Sequence, residues 1–307
     1  MEGVIHWDEM PTDSMEALWH PYILAGAVTL LQGDGSSGKS FMSQAIIAAL
    51  TTGQALPNAM AMPPCNVVIQ NAENSNRKIT RPRLKELGAD LSRIKSLDEE
   101  NERLSLTSPK IEEIIKHYDA RLFVADPIQG YMDMYNLKVV RSTLMHLMKV
   151  AERTGCAILC IGHLTKSQGK SQYRGLGSQD IYNAIPSVLN LGKVDDGTRV
   201  MVHNKSNFFD TGVPIAFSLQ GGFHWLGEYD ITLDELLAGE KSSGRDRQRT
   251  AAKEFLSEEL ANGQVYVNEL FAMAEKLGIK MKTLRRAKSD LGIKALQLAD
   301  GWVWTFE

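Results

Sequence analysis

Short apolar runs alternate with longer amphipathic stretches along most of the chain. Residues 27–31 (Ala-Val-Thr-Leu-Leu), 66–70 (Asn-Val-Val-Ile-Gln), 121–126 (Arg-Leu-Phe-Val-Ala-Asp) and 156–161 (Cys to Ile) are too short for helices and rich in β-formers, so they read as buried strands. Val188–Leu191 and Arg199–Val202 are two later strands. Between them, Phe41 to Thr51 is dense in Ala, Ile, Leu and Met and reads as a buried helix. Residues 75–88 carry five basic side chains and read as an exposed helix stopped by Gly88. From Val139 to Arg153 the spacing is helical, with Leu144, Leu147, Met148 and Ala151 on one face. This alternation predicts an α/β fold with a mainly parallel sheet covered on both faces.

The pattern changes near residue 239. Gly239 to Arg249 is polar, lacks apolar periodicity and reads as a linker between a domain over 1–238 and a small one over 250–307. The small domain reads helix, short strand, helix, turn, helix, hairpin. Helices are predicted over Val267–Leu277 and Met281–Leu291 around a turn at Gly278-Ile279, and two strands flank the hairpin turn Leu298–Gly301. That order is a helix-turn-helix followed by a wing. A length of 307 residues fits one large domain plus a small one.

Composition narrows the class. Hydrophobic residues at 43% and charged residues at 23% suit a globular protein and exclude a disordered chain. No stretch resembles a transmembrane helix, and the acidic first residues do not read as a secretory signal. Three cysteines, Cys65, Cys156 and Cys160, are too few for a disulfide framework and fit a reducing cytoplasmic compartment as buried hydrophobes. The net charge of −3 divides into −5 before residue 239 and +2 after it, so any polyanion must be met by a local patch.

Gly33 to Ser40 (Gly-Asp-Gly-Ser-Ser-Gly-Lys-Ser) satisfies the P-loop pattern, follows a predicted strand and opens a predicted helix. Glycines at 33, 35 and 38 let backbone N–H groups, with those of Asp34, Ser36 and Ser37, converge on phosphate oxygens. Lys39 brings a point charge to the β and γ phosphates, Ser40 a hydroxyl for Mg²⁺, and the helix from Phe41 its positive end. The implied ligands are ATP and Mg²⁺.

Three polar groups stand where parallel sheets bind ligands, at the carboxyl ends of strands. Asp126 ends a strand as a Walker B carboxylate holding Mg²⁺ would, or it caps the turn with Pro127. Glu73 follows the strand ending at Gln70 and could polarise the attacking water, or it is a solvated loop residue. His163 follows the strand from Cys156 and could sense the γ-phosphate, or it fills a turn. Trp19, His20 and Tyr22, upstream of the first strand, could stack a base or pack in the core.

Together the segments GDGSSGKS, VVIQNAEN, LFVADP, LCIGHLTKS and RGLGSQDIYNAIPSVLNL resemble, in that order, the RecA-like P-loop ATPases of the RepA-type hexameric helicase group, over about residues 16–225. The resemblance implies that Gly33, Gly35, Ser37, Gly38, Lys39 and Ser40 bind the ATP phosphates and Mg²⁺. It implies Glu73 as the catalytic carboxylate, Asp126 as the Walker B acid and His163 as the sensor. It further implies that Lys205 reaches the ATP of a neighbouring subunit. Related helicases have an arginine two residues later, where this chain has Asn207, so Lys205 acts alone or another arginine, such as Arg174 or Arg199, replaces it. A site shared between subunits implies a homo-oligomeric ring, six subunits in this group, with a role as a DNA helicase or translocase in the replication of a mobile element. The alternative is an ATP-dependent DNA-binding switch that recruits a partner.

In such rings central loops contact DNA. Here Lys166 to Arg174 holds Lys166, Lys170, Arg174 and Tyr173 with a flexible glycine, either a charge-plus-stacking loop suited to single strands or a surface loop of ordinary basic content. The tail is a second DNA candidate, or a winged helix used only for protein–protein contact. From Lys280 to Lys294 there are six basic residues and one acid, with Lys282, Arg285, Arg286 and Lys288 crowded on one helix opposite Leu284, Ala287 and Leu291.

Overall fold

The computed structural model describes residues 6, 8, 15–98, 104–134, 136–163, 179–194, 197–238, 245–261, 263–279, 281–298 and 301–306. The chain divides into two compact units, Met1–Gly239 and Glu240–Glu307.

In the first unit the strands are β1 (Ala17–Trp19), β2 (Ile23–Leu24), β3 (Val28–Gly33), β4 (Asn66–Asn71), β5 (Ile94–Lys95), β6 (Ala120–Asp126), β7 (Ala157–His163), β8 (Ser187–Lys193), β9 (Arg199–Ser206), β10 (Ile215–Ser218) and β11 (His224–Glu228). The helices are α1 (Lys39–Thr52), α2 (Arg81–Glu86), α3 (Pro109–His117), α4 (Leu137–Thr154), α5 (Gln179–Ala184) and α6 (Leu233–Ala238). Nine strands form one sheet in the order β11-β10-β9-β8-β3-β7-β6-β4-β5. From β8 to β5 neighbouring strands run parallel, and β9, β10 and β11 add antiparallel partners at the other edge. The hairpin of β10 and β11 is absent from the strands predicted above. β10 is buried but only four residues long, and the half-exposed pattern of β11 gives a weaker apolar signal than the buried strands do.

Side-chain alternation along each strand sorts the core into two layers. Leu30, Phe123, Ile158 and Cys160 face α3 and α4, whose Ile111, Ile115, Leu144 and Leu147 complete that layer. Leu31, Val124, Leu159 and Ile161 face α1, whose Met42, Ile46, Ile47 and Leu50 complete the other. Trp19 and Tyr22 are fully buried in the second layer, which answers the open alternative for these two residues in favour of core. Cys65, Cys156 and Cys160 are free and buried. Among the described residues no helix is long and apolar enough to cross a membrane.

The predicted exposed helix over 75–88 proves to be two segments. A π-helical turn, Asn76–Thr80, leads into α2, and Gly88 follows with φ 77°. The π turn places its extra residue just after the carboxyl end of β4, a position where such turns often serve function.

In the second unit α7 (Arg245–Glu259), β12 (Val265–Tyr266), α8 (Val267–Lys276), α9 (Met281–Asp290), β13 (Lys294–Leu298) and β14 (Gly301–Thr305) follow in order, the strands forming a sheet β12-β14-β13. Its own core joins Phe255, Leu256, Leu270, Leu284, Ala287 and Trp304. α7 begins at Arg245, within the polar stretch 239–249 that lacks apolar periodicity.

Candidate active site

β3 runs straight into the phosphate loop, and the loop's backbone explains its glycines. A Cβ on Gly33 would stand 2.4 Å from the Leu191 carbonyl oxygen and 2.8 Å from the Ser37 hydroxyl, so no side chain fits. Gly38 caps α1 with φ 99°, a left-handed conformation, and a Cβ there would meet Arg199 and Phe217 at 3.1 Å. Gly35 is different: a Cβ would meet nothing within 4 Å. Ser36 is itself left-handed at φ 62°.

Lys39 is buried, and its ammonium donates to the carbonyl oxygens of Gly33 (2.9 Å) and Asp34 (2.8 Å). Burial holds its pKa below the ordinary lysine value, against the pull of Asp126, Asp34 and Glu73. The three acids converge on the one lysine although they come from separate chain segments.

Asp126 ends β6 on the side of the sheet that faces α1 and is only 3% exposed. Burial raises its pKa above the ordinary aspartate value, while a hydrogen bond from Ser40 pulls the other way. Its Oδ2 and the Ser37 hydroxyl have no hydrogen-bond partner. A buried carboxylate oxygen without a donor is costly, and a hard cation bound by oxygen ligands satisfies it. These residues therefore fit Mg²⁺ held by Ser40 and Asp126, with ATP phosphates over the loop.

Glu73 lies just past β4, and Asn71 shapes its loop. The Asn71 Oδ1 accepts from the backbone N–H groups of Glu73 (3.2 Å) and Asn74 (2.8 Å), and its Nδ2 donates to the Thr80 hydroxyl at 3.0 Å. The Ala72 N–H donates to the Asp126 carbonyl oxygen at 2.9 Å, tying this loop to the end of β6. A Cβ on Gly130 would overlap the Ala72 Cβ at 2.2 Å, so glycine is required where the turn after β6 passes the loop. Across the gap, the His163 Nε2 is 3.5 Å from the Glu73 carboxylate, both side chains being partly open to solvent. The Gln129 amide donates to the His163 carbonyl oxygen at 3.5 Å.

Strand order produces this convergence. β7, ending in His163, lies between β3 and β6, so the phosphate loop, His163, Asp126 and Glu73 stand side by side at one edge. Asn71, Thr80 and Gln129 are absent from the sequence prediction. Asn71, two residues before Glu73, carries an Asx-turn signal; Thr80 and Gln129 carry none. Phe41 also gains a role, with the Arg83 guanidinium stacked 4.1 Å over its ring.

Lys205 is level with Val188 on β8, and its ammonium donates to the carbonyl oxygens of Tyr182 (3.0 Å), Asn183 (2.6 Å) and Ile185 (2.7 Å) at the end of α5. Arg199 packs beside Gly38. Lys166, Lys170 and Arg174 lie outside the described residues, as does the side chain of Lys282. On α9, the Arg285 guanidinium is 5.6 Å from the Phe271 ring centroid and the Lys288 ammonium 5.4 Å from that of Trp304, while Arg286 is exposed.

A family model described as "AAA domain" (AAA_25) matches residues 2–169, more than half of the chain. The chain belongs to this family. The matched stretch contains the phosphate loop, Glu73, Asp126 and His163, and ends before Lys205 and the second unit. Among solved structures, the chain is similar to the crystal structure of the RadB recombinase, with 16% identity, a TM-score of 0.49, and coverage of 68% of this chain and 93% of that one. Among curated proteins, no match to the chain was found.

Proposed function

We propose that the protein is a RecA-like ATPase that hydrolyses ATP and acts on DNA as a helicase or translocase, working as a homo-oligomeric ring, a hexamer, in the replication of a mobile element. The observation that carries the reading is the convergence of Lys39, Asp126, Glu73 and His163 at one sheet edge, with a buried Asp126 oxygen that has no donor. Lys39 neutralises phosphate charge, Glu73 orients and deprotonates the attacking water, and His163 links the Glu73 carboxylate to the chain that leaves β7. Mg²⁺, held by Ser40 and Asp126, neutralises further phosphate charge when bound. Lys166, Lys170 and Arg174 carry single-stranded DNA, and Lys282, Arg285, Arg286 and Lys288 of a winged-helix second unit meet duplex.

One observation favours a second reading, an ATP-dependent DNA-binding switch that does not translocate. The three carbonyl oxygens on the Lys205 ammonium occupy the group assigned to reach the neighbouring ATP, and Asn207 offers no cation in its place. Rates of ATP hydrolysis without DNA, with single strands and with duplex separate the readings, with Lys39→Ala as the blank. Strong stimulation by single strands, absent in the variant, supports the motor. Stimulation by duplex alone overturns it in favour of the switch.

A further inference from the structure

A cavity opens beside the π turn and α2. It has a volume of about 260 Å³, and its floor is apolar, made by Ile69, Leu84, Leu91 and Ile94. Arg77 and Arg81, one helical turn apart, stand at its rim, and both are exposed. Lys78 and Lys85 extend the positive strip along the π turn and α2, where Glu86 is the single acid. An apolar floor under paired guanidiniums fits a large apolar side chain followed closely by carboxylates, since buried aromatic anchors and arginines are the contacts that dominate interfaces. A bare polyanion would satisfy the rim and leave the floor empty.

The chain itself contains such a segment. Residues 2–16 hold five carboxylates and no lysine or arginine, and Trp7 immediately precedes Asp8 and Glu9. Other acidic stretches fit less well: 98–102 (Asp-Glu-Glu-Asn-Glu) contains no apolar side chain that could fill the floor, and in 228–235 and 254–259 the apolar Ile231, Leu233, Phe255 and Leu256 are already buried in the fold. We infer that the cavity is a docking site for this chain's own acidic N-terminal segment, with Trp7 on the apolar floor and Asp8 and Glu9 against Arg77 and Arg81. Thr80 forms part of the cavity wall and accepts the Asn71 hydrogen bond that holds the Glu73 loop, so the docked segment bears directly on that loop.

The test uses the full chain with a benzophenone amino acid at position 7. On irradiation, cross-links are expected on the stretch 69–96, mapped by peptide mass spectrometry. Arg77→Glu with Arg81→Glu should lower their yield about ten-fold or more, the size of one lost anchoring contact. Asp8→Lys with Glu9→Lys should do the same, and the four changes together should restore the yield. The two N-terminal changes decide the matter even if the arginine pair disturbs folding. Cross-links elsewhere, or a yield indifferent to charge reversal, overturn the inference. Cross-links elsewhere together with an oligothymidine that binds only when Arg77 and Arg81 are present would assign the cavity to a nucleic-acid strand instead.

Discussion

The His163 imidazole stands 3.5 Å from the Glu73 carboxylate, joining the ends of two strands, β7 and β4, that are not neighbours in the sheet. If Glu73 activates water, Glu73→Gln should retain ATP binding and lose about 10²–10⁴-fold in kcat. His163→Ala should also retain binding and should lose mainly the DNA-stimulated part of the rate. Fluorescent-nucleotide titration beside steady-state turnover reads both. A Glu73→Gln variant with full turnover would remove Glu73 from the chemistry.

Asn71 touches no predicted ligand, yet two backbone N–H groups of the Glu73 loop and the Thr80 hydroxyl depend on its amide. Asn71→Ala should lower kcat about 10-fold, from the loss of one to two net hydrogen bonds, and leave the Kd for ATP unchanged. Asn71→Asp, which keeps the oxygen that accepts from Glu73 and Asn74, should recover part of the rate. Equal losses in kcat and affinity would mean that the loop is not what Asn71 positions.

The phosphate-loop glycines should not be equivalent. Gly33→Ala pushes a methyl group against the Leu191 carbonyl and should abolish ATP binding in isothermal titration. Gly35→Ala meets no protein atom within 4 Å and should preserve folding and cost binding less than Gly33→Ala. The reverse ranking would mean that the loop binds phosphate in another conformation.

Asp126 should trade stability for function. Its folded pKa is raised by burial, so the folded state binds more protons than the unfolded one just above the ordinary aspartate range. Stability therefore falls as pH rises from the ordinary aspartate value through the raised folded one, and the cost is complete only above the latter. Asp126→Asn should abolish Mg²⁺-dependent hydrolysis and raise Tm, by about 2–4 °C for each kcal/mol of relieved desolvation. Thermal melts with and without Mg²⁺ check both halves.

His203 should make the first unit acid-sensitive. Its Nδ1 accepts from the Gly212 N–H at 2.9 Å, Nε2 meets the Ser187 hydroxyl at 3.2 Å, and burial lowers its pKa to about 4. The neutral ring belongs to the fold. Its contribution is fully present above the unfolded value of 6.5 and is lost as pH falls toward about 4, on the order of 3 kcal/mol in all. Denaturant melts between pH 7 and 4.5 should show this loss, and His203→Gln should flatten the profile.

The chain sequence by itself determined the α/β class, the phosphate loop and the acids at strand ends, because each depends on neighbours in the chain. Apolar runs of strand length bury themselves, Gly33-x4-Gly38-Lys39-Ser40 sets its own backbone, and Leu284 with Ala287 marks the inner face of α9. Only the tertiary structure decided which of these meet. That β7 intervenes between β3 and β6 is a matter of pairing between distant strands, and it brings His163 to Glu73. The three carbonyls on Lys205, the burial that pushes Asp126 up, and the cavity beneath Arg77 and Arg81 are likewise set by packing. None follows from a side chain's type or spacing, because each depends on what the folded chain excludes from water around it.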